Sequence, residues 1–341
     1  MRIPAPRGPL TELLAEHLGD PEGDLPAIGA VETADALADD DLQLALFLCH
    51  ELHYGGLEGV DDAWEWRPSL IAFRSALEEA MFARLTDVVG PPAPFAGDVG
   101  DELFAMAAAD DARPLSRYVA ARATVEQFRE FVIHRSAYQL KEADPHTFAI
   151  PRIRGAAKAA IVEVQADEYG GGDPERMHSR LFAKTMQALG LDATYGAYVD
   201  RLPASTLATV NLISLFSLRR RWRGALVGHL ATFEITSPEP NRRYGNGLRR
   251  LGFGPEATDF YDEHVEADSV HENIAAYDLA GGLARQEPEL AGDILFGARC
   301  LLHTEARFVD HILDAWERDE SSLLDPATAQ AGERVLAQPS A

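Results

Sequence analysis

Cysteine is scarce: Cys49 and Cys300 are the only two in 341 residues. They lie far apart among apolar, helix-patterned neighbours, which excludes a disulfide framework and reads as two buried thiols in a reducing compartment. Long apolar runs are missing as well. No stretch approaches 18 uncharged apolar residues, and the opening MRIPAPRGPL lacks an apolar core of signal-peptide length. The expectation is a soluble, cytoplasmic protein. Positive charge is in the minority, with 31 Lys and Arg against 55 Asp and Glu, a formal net charge of −24. Such a surface repels phosphate backbones and anionic lipids, so neither nucleic acid nor membrane is expected as a partner. The local exceptions are Arg219 to Arg223, Arg242–Arg243 and Arg249–Arg250. They read as solvated helix ends, the other reading being a contact to an anionic substrate group.

Alternating β-branched runs are also scarce, whereas Ala, Leu, Glu and Arg are abundant, so the pattern is helical. Helices are expected over 34–52 and 68–89. The breaker Gly90-Pro91-Pro92-Ala93-Pro94-Phe95 follows and divides an accessory helical region, 1–95, from a core, 96–330. Within the core the expected helices are 115–141, 155–169, 203–219, 221–235, 256–286 and 289–318. Pro145 and Pro151 mark breaks. Asp173-Pro174-Glu175 reads as a cap, first helical position and dipole-favouring acid, so a helix is expected to start there. The fold class is all-α and bundle-like. The apolar helices of the accessory region need a partner surface, which leads to the expectation of a homodimer.

Four segments carry candidate chemistry. In His264-Val-Glu-Ala-Asp268-Ser-Val-His271 the two imidazoles and the carboxylate fall within about 60° on a helix, as metal ligation needs. A solvent-facing polar stripe is the alternative, because Asp262, Glu263, Glu266 and Glu272 lie nearby. Next, Gly170-Gly171-Gly172 separates Glu168 at one helix end from His178 near the start of another, and this turn can fold the two together. Taken alone it is equally an ordinary connection. Glu142 lies in a titratable-rich stretch beside a helix break, where it is otherwise an exposed acid. Glu234 sits in the apolar Leu230-Ala-Thr-Phe233-Glu234-Ile235, where a carboxylate is costly unless metal-bound or paired with an arginine.

Other candidates weigh less. The histidines of His50-Glu51-Leu52-His53 are three apart rather than four, which is wrong for a metalloprotease and reads as a structural helix end. Gly170-Gly171-Gly172 follows a helix, not a strand, so it is no dinucleotide turn. His229, His303 and His311 read as core histidines, the other reading being groups that back the metal ligands. His134 and Tyr138 precede Glu142 by two helical turns and one, a spacing that suits a substrate-cavity wall.

Together these segments closely resemble the haem-oxygenase-like di-iron oxidases and oxygenases, also described as iron-containing redox enzymes. The family has a Glu on its first core helix, a Glu-Tyr-Gly-x-Gly turn followed by a His, and a His-x3-Asp-x2-His helix. Those map here onto Glu142, onto Glu168 with His178, and onto His264, Asp268 and His271. The N-oxygenating branch adds a Glu on an intervening helix, the place taken by Glu234. The resemblance covers about residues 100–290. It implies a haem-oxygenase-like helical bundle without haem, holding two iron ions through all seven residues. Some relatives carry a cupin domain after the helical one. None follows here, so any reaction of such a domain is expected to be absent.

Four carboxylates and three imidazoles suit a pair of ferrous ions better than one zinc. Two ferrous ions can together pass two electrons to O2, giving a bridged ferric peroxide, and the protein then keeps that species dry and positions the substrate. The expected activity is N-oxygenation of a small amine or amino acid in specialised metabolism, with O2 as co-substrate and an external electron donor, such as a reductase. The alternatives are oxidative C–C cleavage or desaturation of an amino or fatty acid, and, in another class, a non-catalytic iron-binding helical protein.

Overall fold

A computed structural model describes residues 1–325, apart from the side chains of Asp268 and Ser269. Every regular element among these residues is helical and no strand occurs, so the all-α class read from the sequence is what forms. In chain order the first helices are α1 (Pro9–His17), α2 (Asp40–Glu51), α3 (Pro68–Val89), α4 (Val99–Ala109) and α5 (Leu115–Ala121). Next come α6 (Val125–Gln139), α7 (Asp144–Thr147), α8 (Gly155–Glu168), α9 (His178–Ala188) and α10 (Ala204–Leu218). The last are α11 (Arg223–Thr236), α12 (Pro238–Arg250), α13 (Pro255–Asn273), α14 (Gly281–Gln286) and α15 (Ala291–Glu317).

Several boundaries differ from expectation: the helix expected over 34–52 begins only at Asp40, where the Asp39 side chain caps it, and two others differ for an equally local reason. The helix expected over 115–141 is broken into α5 and α6. Thr124 starts the second piece with a reciprocal cap: its hydroxyl accepts from the Gln127 amide, and the Gln127 side chain accepts from the Thr124 N–H. Arg250 then donates to the carbonyls of Val119, Ala120 and Ala123, satisfying the end of α5. The second difference lies at α9, which begins at His178 rather than at Asp173. The Asp173 carboxylate accepts from the Glu175 N–H and its carbonyl from the Arg176 N–H, closing a turn instead of a helix. The span expected as one helix over 256–286 runs through α13 and α14 with a π-helical stretch, Ile274–Ala280, between them. Such wide turns cluster at functional sites.

The described chain gathers into two compact units. The first comprises Met1–Val88, Tyr195–Asn211 and residues 323–325. Its separate segments are tied by buried polar contacts. Arg7 donates to the Val199 and Leu202 carbonyls at 2.8 and 2.7 Å, and the Leu324 N–H donates to the Arg201 carbonyl at 2.9 Å. His50 lies 3.1 Å from the Asn211 carboxamide oxygen and 3.2 Å from Glu78, while His53 meets Arg74 and Glu65. The His50–His53 motif is thus spent on structure, as its spacing implies.

The second unit comprises Val89–Thr194 and Leu212–Ser322. Here α11 and α15 pack backbone against backbone. A Cβ on Gly228 would strike the Ile294 carbonyl, and one on Gly297 the Ala225 carbonyl, so neither position accepts a side chain without the helices parting. This contact fixes α11, the helix that carries Glu234. No helix among the described residues is long and apolar enough to cross a membrane.

Candidate metal centre

The glycine turn after α8 does what its sequence suggests. Gly170 has φ +67°, and a Cβ there would lie 2.7 Å from the backbone of Arg176 and Met177, so only glycine lets the chain double back. Glu168, the last residue of α8, is thereby brought beside His178, the first of α9, with Oε2 and Nδ1 3.0 Å apart. Glu142 lies in the turn between α6 and α7. Gln165 anchors that turn to α8, its amide donating to the Ala143 carbonyl at 2.8 Å and to the Thr147 hydroxyl at 2.6 Å. The Tyr169 hydroxyl adds a 2.8 Å hydrogen bond to Asp144. From α13, His264 approaches Glu142 at 3.4 Å, and His271 approaches Glu234 of α11 at 3.7 Å.

The result is two ligand groups that share one carboxylate. Glu142, Glu168, His178 and His264 present donor atoms all within 4.8 Å of one another, and so do Glu168, Glu234 and His271. All six side chains are buried. Two of the imidazoles are oriented by their other nitrogen. The Phe260 carbonyl, an acceptor only, lies 2.7 Å from His264 Nδ1, so that nitrogen carries the proton and Nε2 faces the glutamates. Likewise the Asp167 carboxylate accepts a hydrogen bond from the Nε2–H of His271 at 2.9 Å, turning Nδ1 inward.

Electrostatics mark the cluster as built around positive charge. Burial pushes the carboxyls of Glu142 and Glu234 upward, and His264 and His271 offset this only in part. Burial works the same way on Glu168, but His178, His264 and His271 outweigh it and hold that carboxyl down to about 2. Nε2 of His178 is buried without a hydrogen-bond partner. Left so, that nitrogen loses its hydration with nothing in return. Mixed nitrogen and oxygen donors in a buried site fit iron.

A cavity of about 530 Å³ opens onto the cluster, with Glu142, Glu168, Glu234 and His264 in its wall. Phe131, Phe182, Leu230, Phe233 and Phe260 make much of that wall apolar. Tyr138 lines it, as its spacing suggests. His134 does not: its ring lies 3.0 Å from the Ser322 hydroxyl and packs on Phe308, because its place on α6 turns it from the cavity.

Of the residues singled out from sequence, Glu142, Glu168, His178, Glu234, His264 and His271 come together. The side chain of Asp268 lies outside the described residues. Sequence reasoning missed Asp167, whose partner is 104 positions away. It also missed Gln139, whose amide nitrogen, in the orientation that satisfies both groups, lies 2.5 and 3.1 Å from the Glu142 oxygens. Position i−3 to a ligand was the one available signal for Gln139. His229, read as a core histidine, is buried, its Nδ1 3.2 Å from Nε2 of His146.

Comparison with known proteins agrees with this architecture. Two crystal structures of a CADD-like protein of unknown function from Nostoc punctiforme superpose with TM-scores of 0.51 and 0.50. They are 16% and 15% identical and cover 63% and 65% of this chain and 96% of that one, a likeness of fold. Nitrosourea synthase from Streptomyces achromogenes subsp. streptozoticus is 27% identical over 136 residues. That stretch is 40% of this chain and only 29% of the relative. Residues 129–306, just over half of the chain and the span that carries every residue of the cluster, match the family described as iron-containing redox enzyme. The chain, all-helical and haem-oxygenase-like in fold, belongs to the iron-containing redox enzyme family.

Proposed function

We propose that this protein is an O2-dependent di-iron oxygenase that N-oxygenates a small amine or amino acid. The observation that carries the reading is Glu168, whose carboxylate belongs to both ligand groups. A carboxylate has two oxygens and can serve two cations at once. Charge argues the same way. Three buried glutamates carry −3 when ionised, which one ferrous ion (+2) leaves negative and two ferrous ions (+4) outweigh by a single charge. In this reading Glu142, Glu168, His178 and His264 hold one ion, and Glu168, Glu234 and His271 the other, with Asp268 assigned to the pair by its motif alone.

Iron held here would supply electrons to O2 beside the cavity. The protein's own part is positional. Phe131, Phe182, Leu230, Phe233 and Phe260 exclude bulk water from the chamber. The Phe260 carbonyl and Asp167 keep the protons of His264 and His271 on the nitrogens that face away from the cluster. Glu234 supports the nitrogen-oxidising branch over desaturation or C–C cleavage, since it fills the additional position of that branch. The partial similarity to nitrosourea synthase supports the same branch. Turnover beyond the first reduced state requires an external electron donor.

The test is an anaerobic titration with Fe(II), followed by exposure to O2. Two irons per chain are expected, with oxygen uptake that quickens when a candidate amine is present. A stoichiometry of one iron removes the shared-carboxylate argument. Slow uptake indifferent to every amine identifies an iron-storage protein instead.

A further inference from the structure

The cavity wall beyond the glutamates carries a second set of charges. Arg135 on α6 is partly buried there and grips Glu305 of α15 with two hydrogen bonds, 2.9 and 2.7 Å long. Its guanidinium lies 4.3 Å from the centre of the Phe308 ring. A largely desolvated, two-pronged ion pair, its side chains 15% and 23% exposed, adds little to stability compared with apolar packing, so its presence in a chamber wall calls for a use. Around it stand Tyr138, Tyr244 and Tyr261, all in the same wall and all within reach of the Arg135 charge. The Tyr244 and Tyr261 rings are 5.8 Å apart. Tyr261 is 2% exposed, and its hydroxyl is buried with no hydrogen-bond partner. An orphaned phenol donor that shares its cavity wall with a guanidinium suits an anionic acceptor. At the half-buried rim, Arg243 adds a further positive charge, anchored by Glu239 at 2.8 Å and Ser116 at 3.3 Å. Tyr138 feels both Arg135 and the three glutamates, so it stands between the two charged regions.

We propose that this wall is a head-group subsite for an α-amino acid. The carboxylate is received by Tyr261 and Arg135, with Arg243 attracting it at the rim, and the ammonium is received by Glu305. The side chain then lies along the apolar wall toward the glutamate cluster. The Arg135–Glu305 pair, one charge of each sign side by side, matches a zwitterion, whereas a lone amine or a fatty acid leaves half of the pair unanswered. The inference rests on the reading of this cavity as the reaction chamber, and it restricts the substrate to molecules with both charged groups on one carbon.

Binding by the iron-loaded chain, kept anaerobic so that no turnover occurs, tests it with calorimetry and three probes of similar length. L-norleucine carries both charges, hexanoate only the carboxylate and n-pentylamine only the ammonium. Norleucine is expected to bind at least tenfold more tightly than either single-charge probe. Tyr261→Phe is expected to weaken norleucine about tenfold, to leave pentylamine unaffected and to preserve the melting temperature. Glu305→Gln should erase the preference for norleucine over hexanoate. Should that variant fail to fold, Tyr261→Phe decides alone. Equal affinity for a single-charge probe, no binding of norleucine, or an unchanged constant in Tyr261→Phe overturns the subsite. Norleucine binding by a chain that, exposed to O2 in a separate run, takes up none with any candidate amine, L-lysine included, upholds the subsite and sinks the oxygenase reading. Oxygen uptake with no preference for norleucine does the reverse.

Discussion

A single side chain holds the cluster's two halves together. Because Glu168 is common to both ligand groups, Glu168→Gln is expected to lower bound iron from two per chain to none at micromolar metal. Glu142→Gln or Glu234→Gln should cost one ion only, and elemental analysis after gel filtration distinguishes the outcomes. Glu234→Ala should change the course of oxygen uptake far more than the melting temperature. The His146–His229 pair gives a different signal. Burial pulls His146 from 6.5 down to about 4 and places His229 well below its ordinary value, so both rings stay neutral in the folded chain. In the unfolded chain they take up protons near 6.5. Protons bound only by the unfolded chain favour unfolding, so stability held above about pH 6.5 is lost as pH falls toward 4, by about 1.4 kcal/mol per pH unit for each ring. Melting curves from pH 7 to 5 show this as a slope, and His229→Gln should make it shallower.

Among the elements, the α11–α15 contact is where a small change has a large reach. Gly228→Ala puts a methyl group against the Ile294 carbonyl, and overpacking of this kind costs about 1–3 kcal/mol. Thermal unfolding should show the loss, with iron affinity falling as Glu234 moves with its helix; an unaltered melting point would mean that the contact is looser than described. Legibility also divides at this scale. The long helices α3, α8, α10, α11 and α15 fall within a few residues of where periodicity and punctuation put them, because apolar spacing and Pro or Gly breaks are local signals. By contrast α12, Pro238–Arg250, was invisible: its sequence PEPNRRYGNGLRR holds two prolines, two glycines and little apolar surface. It forms because packing overrides propensity, with Gly247 lying against the Val119 and Ala120 backbone. The ligands were legible for the opposite reason. Acids and histidines at fixed helical spacing carry their own geometry, whereas the aid that His271 receives from Asp167 exists only after folding.

Over the whole molecule, the division read from sequence at residue 95 and the two compact units differ in kind. The first unit draws on Tyr195–Asn211 and residues 323–325 as well as on Met1–Val88. Removing residues 1–95 therefore strands the Val199 and Leu202 carbonyls that Arg7 satisfies. The truncated chain is expected to be poorly soluble or to melt well below the full chain; a soluble, iron-binding truncation of undiminished stability would contradict this.

That interleaving also bears on biogenesis. A ribosome releases the opening 88 residues long before it makes the strip at 195–211 that completes their packing. At about 5–20 residues per second the nascent segment waits several seconds with apolar faces uncovered. Folding of the amino-terminal unit thus has to trail synthesis of much of the metal-binding half, and the cell has an interval in which a holdase can engage the chain.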